Sequence, residues 1–210
     1  MNEQEGVIKY QLTHSEQPVN TDFSFTEINA WRTVMFRLKL IGQEAHRYDN
    51  LGFGNISQRL DVDSDQFIVS GTQTGHFEYL QPEQYSLVVT ADPKQNKLGS
   101  LGLCKPSSEA LTHASIYQHD KQVQAVIHVH SPEIWHHTLA LNLPHTQANV
   151  PYGTVAMALA VEQLLTSGRL QETSLFTMLG HEDGVVAVGA SLPAAAWALI
   201  NCLALALTMR

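Results

Sequence analysis

A chain of 210 residues suits one large domain, and 44% hydrophobic against 15% charged residues allows a substantial core. A formal net charge of −8 with only 12 Lys plus Arg argues against a nucleic-acid partner, because neutralising phosphates needs a basic face. Two cysteines, Cys104 and Cys202, form no CxxC pair, and the opening "MNEQEGVIKY" has no apolar signal core. A disulfide scaffold is therefore not expected, and a reducing, cytoplasmic setting is.

Residues 1–22 are polar and aperiodic and read as a flexible arm ahead of a single domain over 23–210. Ser24 and Glu27 in "SFTE" fit a capping box, and a helical period then runs through Ile28, Trp31, Met35, Leu38 and Ala45. It ends near "YDNLGFGN". Strands are expected at 56–60, 66–70 and 85–91, the last two separated by the glycine-containing loop "GTQTGHFEYLQPEQ", and a further strand or edge at 96–102. Ser107 or Ser108 caps a helix running to about His119. "VQAVIHVH" reads as a strand, and Pro132 opens a helix over 133–140. A proline-interrupted loop leads to a helix at about 154–167, followed by strands at 175–179 and 184–188.

The run from Gly184 to Met209 carries no charge. A membrane span needs about 20 continuous apolar residues, but Ser191 and Pro193 interrupt this run in the pattern of a helix start. A fully buried C-terminal helix, in the core or at a subunit interface, is the expectation, and no membrane partner. Strands and helices mix without strict βαβ alternation. The predicted fold is α/β, a three-layer α/β/α arrangement with a central mixed, mostly antiparallel sheet.

Eleven histidines is a high count for this length. His128 and His130 in "AVIHVHSP" are i and i+2 of a strand and so project from one face. Such a pair fits either two polar residues facing solvent or two ligands gripping one ion, and Val126 and Ile127 set the strand near the core. His181 in "TMLGHEDGVVAVG" falls in a turn between strands, as a surface residue or a third ligand. Glu109 in "SSEALTH" opens a helix, a position that acidic residues favour in any case. Three imidazoles and one carboxylate suit Zn²⁺.

Three segments favour an anion: "GFGNIS" with Asn55, "SGTQTG" with its hydroxyls and backbone N–H groups, and "KPSSE" with Ser107 and Ser108 at a helix N-terminus. None is a Walker or dinucleotide fingerprint. Each taken singly also fits an ordinary turn.

In this order, "GFGNIS", "SGTQTG", "PSSEALTHASIYQ", "AVIHVHSP" and "GHEDGVVAVG" resemble the class II aldolase/adducin family over about residues 27–205. The resemblance implies Zn²⁺ or another divalent metal on His128, His130 and His181. Glu109 would be a further ligand of the resting metal and a catalytic base or acid. Substrate phosphate would be held by Asn55, Thr74 and Gly75 (with Thr72 as a competing register), Ser107 and Ser108. It also implies a homo-oligomer, a tetramer with sites between subunits, and a small-molecule substrate.

The implied activity is a metal-dependent lyase acting by aldol cleavage or related enediolate chemistry on a small hydroxy-carbonyl compound, possibly a sugar phosphate. A dehydratase or decarboxylase on the same site, and a non-catalytic assembly module like the adducin head, are the alternatives. The region "LNLPHTQANVPYGT" is shorter than the stretch that carries a proton-donor tyrosine in the family aldolases. Tyr152 does not match that position, the chain stops at Arg210 soon after its last helix, and Glu-Asp-Gly follows His181 where Gly alone is usual. Sugar-phosphate aldol cleavage is thereby placed in doubt while metal binding is not. His113, one turn after Glu109, is either a partner of the ligands or a helix-packing residue.

Overall fold

The computed structural model describes residues 6–209. The first element, β1 (Gln11–Glu16), lies within the segment expected to be a flexible arm and pairs in parallel with Lys97–Gly102. Its residues alternate between partly buried and exposed, so the polarity that suggested a loose arm belongs to the solvent side of an edge strand. Residues 1–5 of the expected arm lie outside the described residues.

Helix α1 (Phe25–Arg37) buries Ile28, Asn29, Arg32 and Met35, a stripe at helical spacing. Ser24 is its N-cap, but the reciprocal side-chain bonds of a capping box are not made. The helix also stops well short of Ala45. Lys39 takes a left-handed φ of 60°, Lys39 N donates to Phe36 O at 2.9 Å, and Leu40 N donates to Met35 O at 3.0 Å. This Schellman closure turns the chain inward, and Leu40 and Ile41 enter the core instead of continuing the helix.

A small two-stranded sheet follows, β2 (Gly42–Gln43) with β3 (Gly52–Phe53). Then come β4 (Asn55–Arg59), β5 (Phe67–Ser70), β6 (Tyr85–Asp92), β7 (Lys97–Gly102), α2 (Ala110–His119) and β8 (Ala125–His130). Helix α3 (Pro132–His136) is shorter than expected, and turns continue its course. Strand β9 (His145–Thr146), α4 (Val155–Thr166), α5 (Leu170–Thr173), β10 (Leu175–Met178), β11 (Gly184–Gly189) and α6 (Leu192–Leu207) complete the chain.

Among the described residues the main sheet has nine strands in the order β1-β7-β6-β5-β4-β8-β11-β10-β9. Only β1/β7 and β10/β9 pair in parallel. Strand β8, flanked by β4 and β11 inside the sheet, is buried at all six positions, which explains its near-continuous apolar run. Its two faces enter two cores. Ala125, Ile127 and Val129 pack with residues of α1, α3 and α6, while Val126 packs with residues of α2 and α4. Helices thus cover both faces, and the architecture is the expected three-layer α/β/α.

Helix α6 buries Leu192, Ala195, Ala196, Leu199, Cys202 and Ala206 but leaves Trp197 and Leu205 more than half exposed, so within this chain it is amphipathic and not fully buried as expected; Ser191 caps it by accepting a bond from Ala194 N. Among the described residues no helix is long and apolar enough to cross a membrane.

Candidate metal centre

The end of β8 meets the starts of β4 and β11. Asn55 stands opposite His128, and Gly184 opposite His130. His128 and His130 therefore emerge side by side on the face they share with Val126. His181 joins them from the turn between β10 and β11. One ring nitrogen from each of the three lies within 4.8 Å of the others, and each residue is at most 2% exposed. Ring centroids are 5.0 Å apart for His128 and His130, 5.2 Å for His128 and His181, and 4.8 Å for His130 and His181.

The protonation of this cluster follows from its burial. Burial pushes His128 well below its ordinary pKa of 6.5, and His181 and His113 push the same way. Burial likewise lowers His130, reinforced by His181, His128 and Arg47. Both rings are held neutral, the form that ligates metal. His128 Nδ1 lies 3.2 Å from the carbonyl oxygen of Val185, which can only accept, so Nδ1 carries the proton. Its Nε2 keeps a lone pair, is buried, and makes no hydrogen bond among the described residues. A buried, unused imidazole lone pair beside two further imidazoles fits a divalent cation.

Two local devices set His181. Its amide donates to Met178 O at 2.9 Å, and its carbonyl accepts from Gly184 N at 3.0 Å, closing a tight turn. Gly180 lets the loop before α4 lie against that turn, since a Cβ there would sit 2.0 Å from Val150 O. The loop brings Tyr152 flat onto His181, with centroids 4.5 Å apart and planes 22° apart.

Glu109 is 1% exposed and is itself the N-cap of α2, so neither Ser107 nor Ser108 caps that helix as expected. Ser107 Oγ instead accepts from Glu109 N at 3.2 Å, which holds the turn one step earlier. Glu109 Oε1 lies 3.6 Å from His181 Nδ1, while Oε2 accepts from Thr112 Oγ1 at 3.0 Å. The carboxylate is thereby fixed at the edge of the histidine cluster.

The anion-friendly residues are placed less uniformly. Asn55 is 4% exposed, and its Oδ1 makes no hydrogen bond among the described residues. Ser107 and Ser108 are buried ahead of Glu109, and Ser107 N donates to Ser70 O at 3.1 Å, joining that turn to the 70–75 loop. Thr74 Oγ1 is engaged within its own turn, donating to Gly71 O at 2.8 Å, and its carbonyl accepts from Arg32 Nη2 at 2.9 Å. Gly75 packs so closely that a Cβ would sit 2.2 Å from Gly42 O. The competing Thr72 donates to Gly6 O at 3.3 Å. His113 is fully buried under the site, with Nδ1 2.7 Å from Ser57 Oγ, and burial lowers its pKa to about 3.

A further group escaped the sequence reading. Tyr48 packs edge-on against His130 at a centroid distance of 4.6 Å. Its hydroxyl donates to Asp183 Oδ2 at 2.6 Å and accepts from Arg47 Nη2 at 2.7 Å. Burial, and then the hydrogen bond to Asp183, raise its pKa, which keeps the phenol protonated. Tyr48, Asp49 and Asn50 all have positive φ, between 49° and 60°. Asp and Asn tolerate that region, whereas Tyr is held there against a local preference. The "DN" before Leu51 was the available signal for this turn.

A family model described as Class II Aldolase and Adducin N-terminal domain matches residues 42–209. Among solved structures, YgbL from Klebsiella pneumoniae is similar with a TM-score of 0.62 at 20% identity, covering 87% of this chain and 86% of that one. L-fuculose-1-phosphate aldolase from Thermus thermophilus is similar with a TM-score of 0.62 at 17% identity, covering 88% and 91%. Both likenesses concern the fold. Methylthioribulose-1-phosphate dehydratase from Alcanivorax borkumensis is 36% identical over 77 residues, 37% of this chain; the match spans 32% of that curated relative. With the family model matching most of its length, the chain belongs to the class II aldolase and adducin N-terminal domain family.

Proposed function

We propose that the chain is a metal-dependent lyase-type enzyme that acts on a small hydroxy-carbonyl compound by aldol cleavage or related enediolate chemistry, with phosphorylated sugars as the first substrates to try. The single observation that carries this reading is the convergence of three buried imidazoles beside one buried carboxylate. Burying four such groups costs stability and is out of place in a purely structural module. His128, His130 and His181 would hold the ion, Zn²⁺ by donor type, with Glu109 within reach as a further ligand. A divalent cation bound there supplies Lewis-acid polarisation of a carbonyl and of the hydroxyl beside it.

The chain's own residues supply the rest. Glu109 accepts a proton from the substrate hydroxyl or the adjacent carbon and returns it later. The Thr112 bond to Oε2 fixes the carboxylate plane, so that Oε1 faces His181. Asn55, Ser107, Ser108 and the Thr74–Gly75 turn would bind the phosphate, helped by the N-terminus of α2. For Thr74 this contribution comes from backbone N–H groups, since its hydroxyl is engaged elsewhere.

Dehydration is the second reading, favoured by the 36% identity to a sugar-phosphate dehydratase. A cytoplasmic homotetramer belongs to the same proposal, and light scattering of the purified chain tests its assembly. The decisive experiment pairs elemental analysis of untagged protein with a panel of keto- and aldo-sugar phosphates and unphosphorylated hydroxy acids. About one divalent ion per chain is expected, together with aldehyde release (aldol cleavage) or water loss (dehydration). A well-folded, metal-free protein inert to the whole panel overturns the proposal and favours an assembly module.

A further inference from the structure

Residues 6–16 precede the matched region 42–209, yet they reach the site's surroundings at three places. Gly6 O accepts from Thr72 Oγ1 at 3.3 Å, in the loop that leads to Thr74. Tyr10 is 5% exposed, and its hydroxyl donates to Ser107 O at 2.7 Å, two residues before Glu109. Lys9 Nζ sits 3.6 Å above the centroid of the Tyr152 ring and donates to Tyr152 O at 3.3 Å. His181 stacks on the same ring with centroids 4.5 Å apart, and one face has no room for both the ammonium and the imidazole, so ammonium, phenol and imidazole stand in series. Strand β1 fixes the segment from behind: Gln11 N donates to Asn96 O at 2.8 Å, and Asn96 Nδ2 donates to Lys9 O at 3.1 Å.

We propose that this N-terminal strap positions the third histidine, with Lys9 pressing the Tyr152 ring flat against His181. Lys9 and Tyr152 are positioning residues that act on the ion through His181. A histidine carried on a turn is less constrained than the two on β8, whose strand sets their direction. Stacking on one face limits rotation of its ring, and the ammonium over the outer face of the phenol holds the stack by cation–π attraction. Groups that orient a ligand without touching the ion typically alter metal affinity by roughly 10–100-fold. The inference rests on the metal reading above.

The test is a Co²⁺ titration of the full-length chain, read by visible absorption and by competition with a chelator. Lys9→Met and Tyr152→Leu are expected to weaken Co²⁺ binding by about tenfold or more and to change the visible spectrum. Lys9→Arg and Tyr152→Phe, which keep the cation and the ring, are expected to bind as the parent does. The double variant Lys9→Met/Tyr152→Leu should bind no more weakly than Tyr152→Leu alone, since Lys9 acts through the ring. Lys9 is partly exposed, so its variant keeps the test valid even where loss of the buried Tyr152 ring harms folding. A parent chain that takes up no Co²⁺ overturns the metal reading and this inference with it. A parent that binds Co²⁺ while Lys9→Met binds it equally tightly, with the same spectrum, overturns the inference alone.

Discussion

The carbonyl of Val185 on β11 selects the tautomer of His128 on β8, by accepting the Nδ1 proton across 3.2 Å. The neighbouring strand thus determines which nitrogen faces the cluster before any ion arrives. His128→Ala is expected to lower Zn²⁺ affinity by more than the roughly 100-fold typical of outer-shell changes. Far-UV circular dichroism should be retained, because the core beneath the site remains. Isothermal titration alongside the spectra checks both.

Glu109→Gln removes the proton acceptor but keeps the shape that accepts the Thr112 hydroxyl. Turnover on an active substrate should fall by about 10²–10⁴-fold, with the divalent ion still present by elemental analysis. Thr112→Val should give a milder fall in kcat, because it frees the carboxylate to rotate without removing it. Equal activity of Glu109→Gln and parent removes Glu109 from the chemistry.

Tyr48→Phe deletes one hydroxyl that serves two partners, Asp183 and Arg47. A loss of about 1–3 kcal/mol is expected, the usual range when buried polar groups are left unsatisfied. Urea denaturation of the metal-free protein measures it. The turn at 48–50 should also become more open to proteolysis, since the phenol helps hold three consecutive residues at positive φ.

Lys39→Gly should act in the opposite direction. Lys39 occupies the left-handed position that closes α1, with φ 60°. Glycine takes that conformation without the Cβ penalty, so a gain of about 0.5–1 kcal/mol is expected. The exposed ion pair of Lys39 with Glu44 at 3.6 Å is weak and offsets little of it. A higher urea midpoint at unchanged slope is the expected readout.

Acid sensitivity follows from His113. Its folded pKa of about 3 lies below the ordinary 6.5, so between these values the unfolded chain binds a proton that the folded one does not. Stability is therefore lost as pH falls through 6.5 and goes on falling toward 3. His113→Gln should flatten that limb by up to one proton, about 1.4 kcal/mol per pH unit. Urea midpoints of metal-free protein across this range decide it; an unchanged slope contradicts the buried neutral ring.

Local pattern made much of this molecule readable. The "VIHVH" run places two imidazoles on one face of a strand by its period of two alone, and the strand forms as expected. The serine–proline start of α6 likewise forms as read, with Ser191 as its cap. What stayed hidden depends on distant partners. Strand β1 looks like a polar tail until β7 supplies its hydrogen bonds. The end of α1 turns on one left-handed residue that no helical period announces. Tyr48 meets Asp183, and Lys9 meets Tyr152, across such long stretches of chain that neither pair leaves a spacing signature.

The pairing of Gln11 with Lys97 has a consequence for the order of assembly. An edge strand that docks in parallel must wait until its template exists, and closing so long a loop is entropically costly. The residues of β1 are thus seated late. Lys9 and Tyr10 adjoin β1 and reach Tyr152 and Ser107 across 143 and 97 positions, so the contacts that set the third histidine are expected to form after the strand that carries the other two.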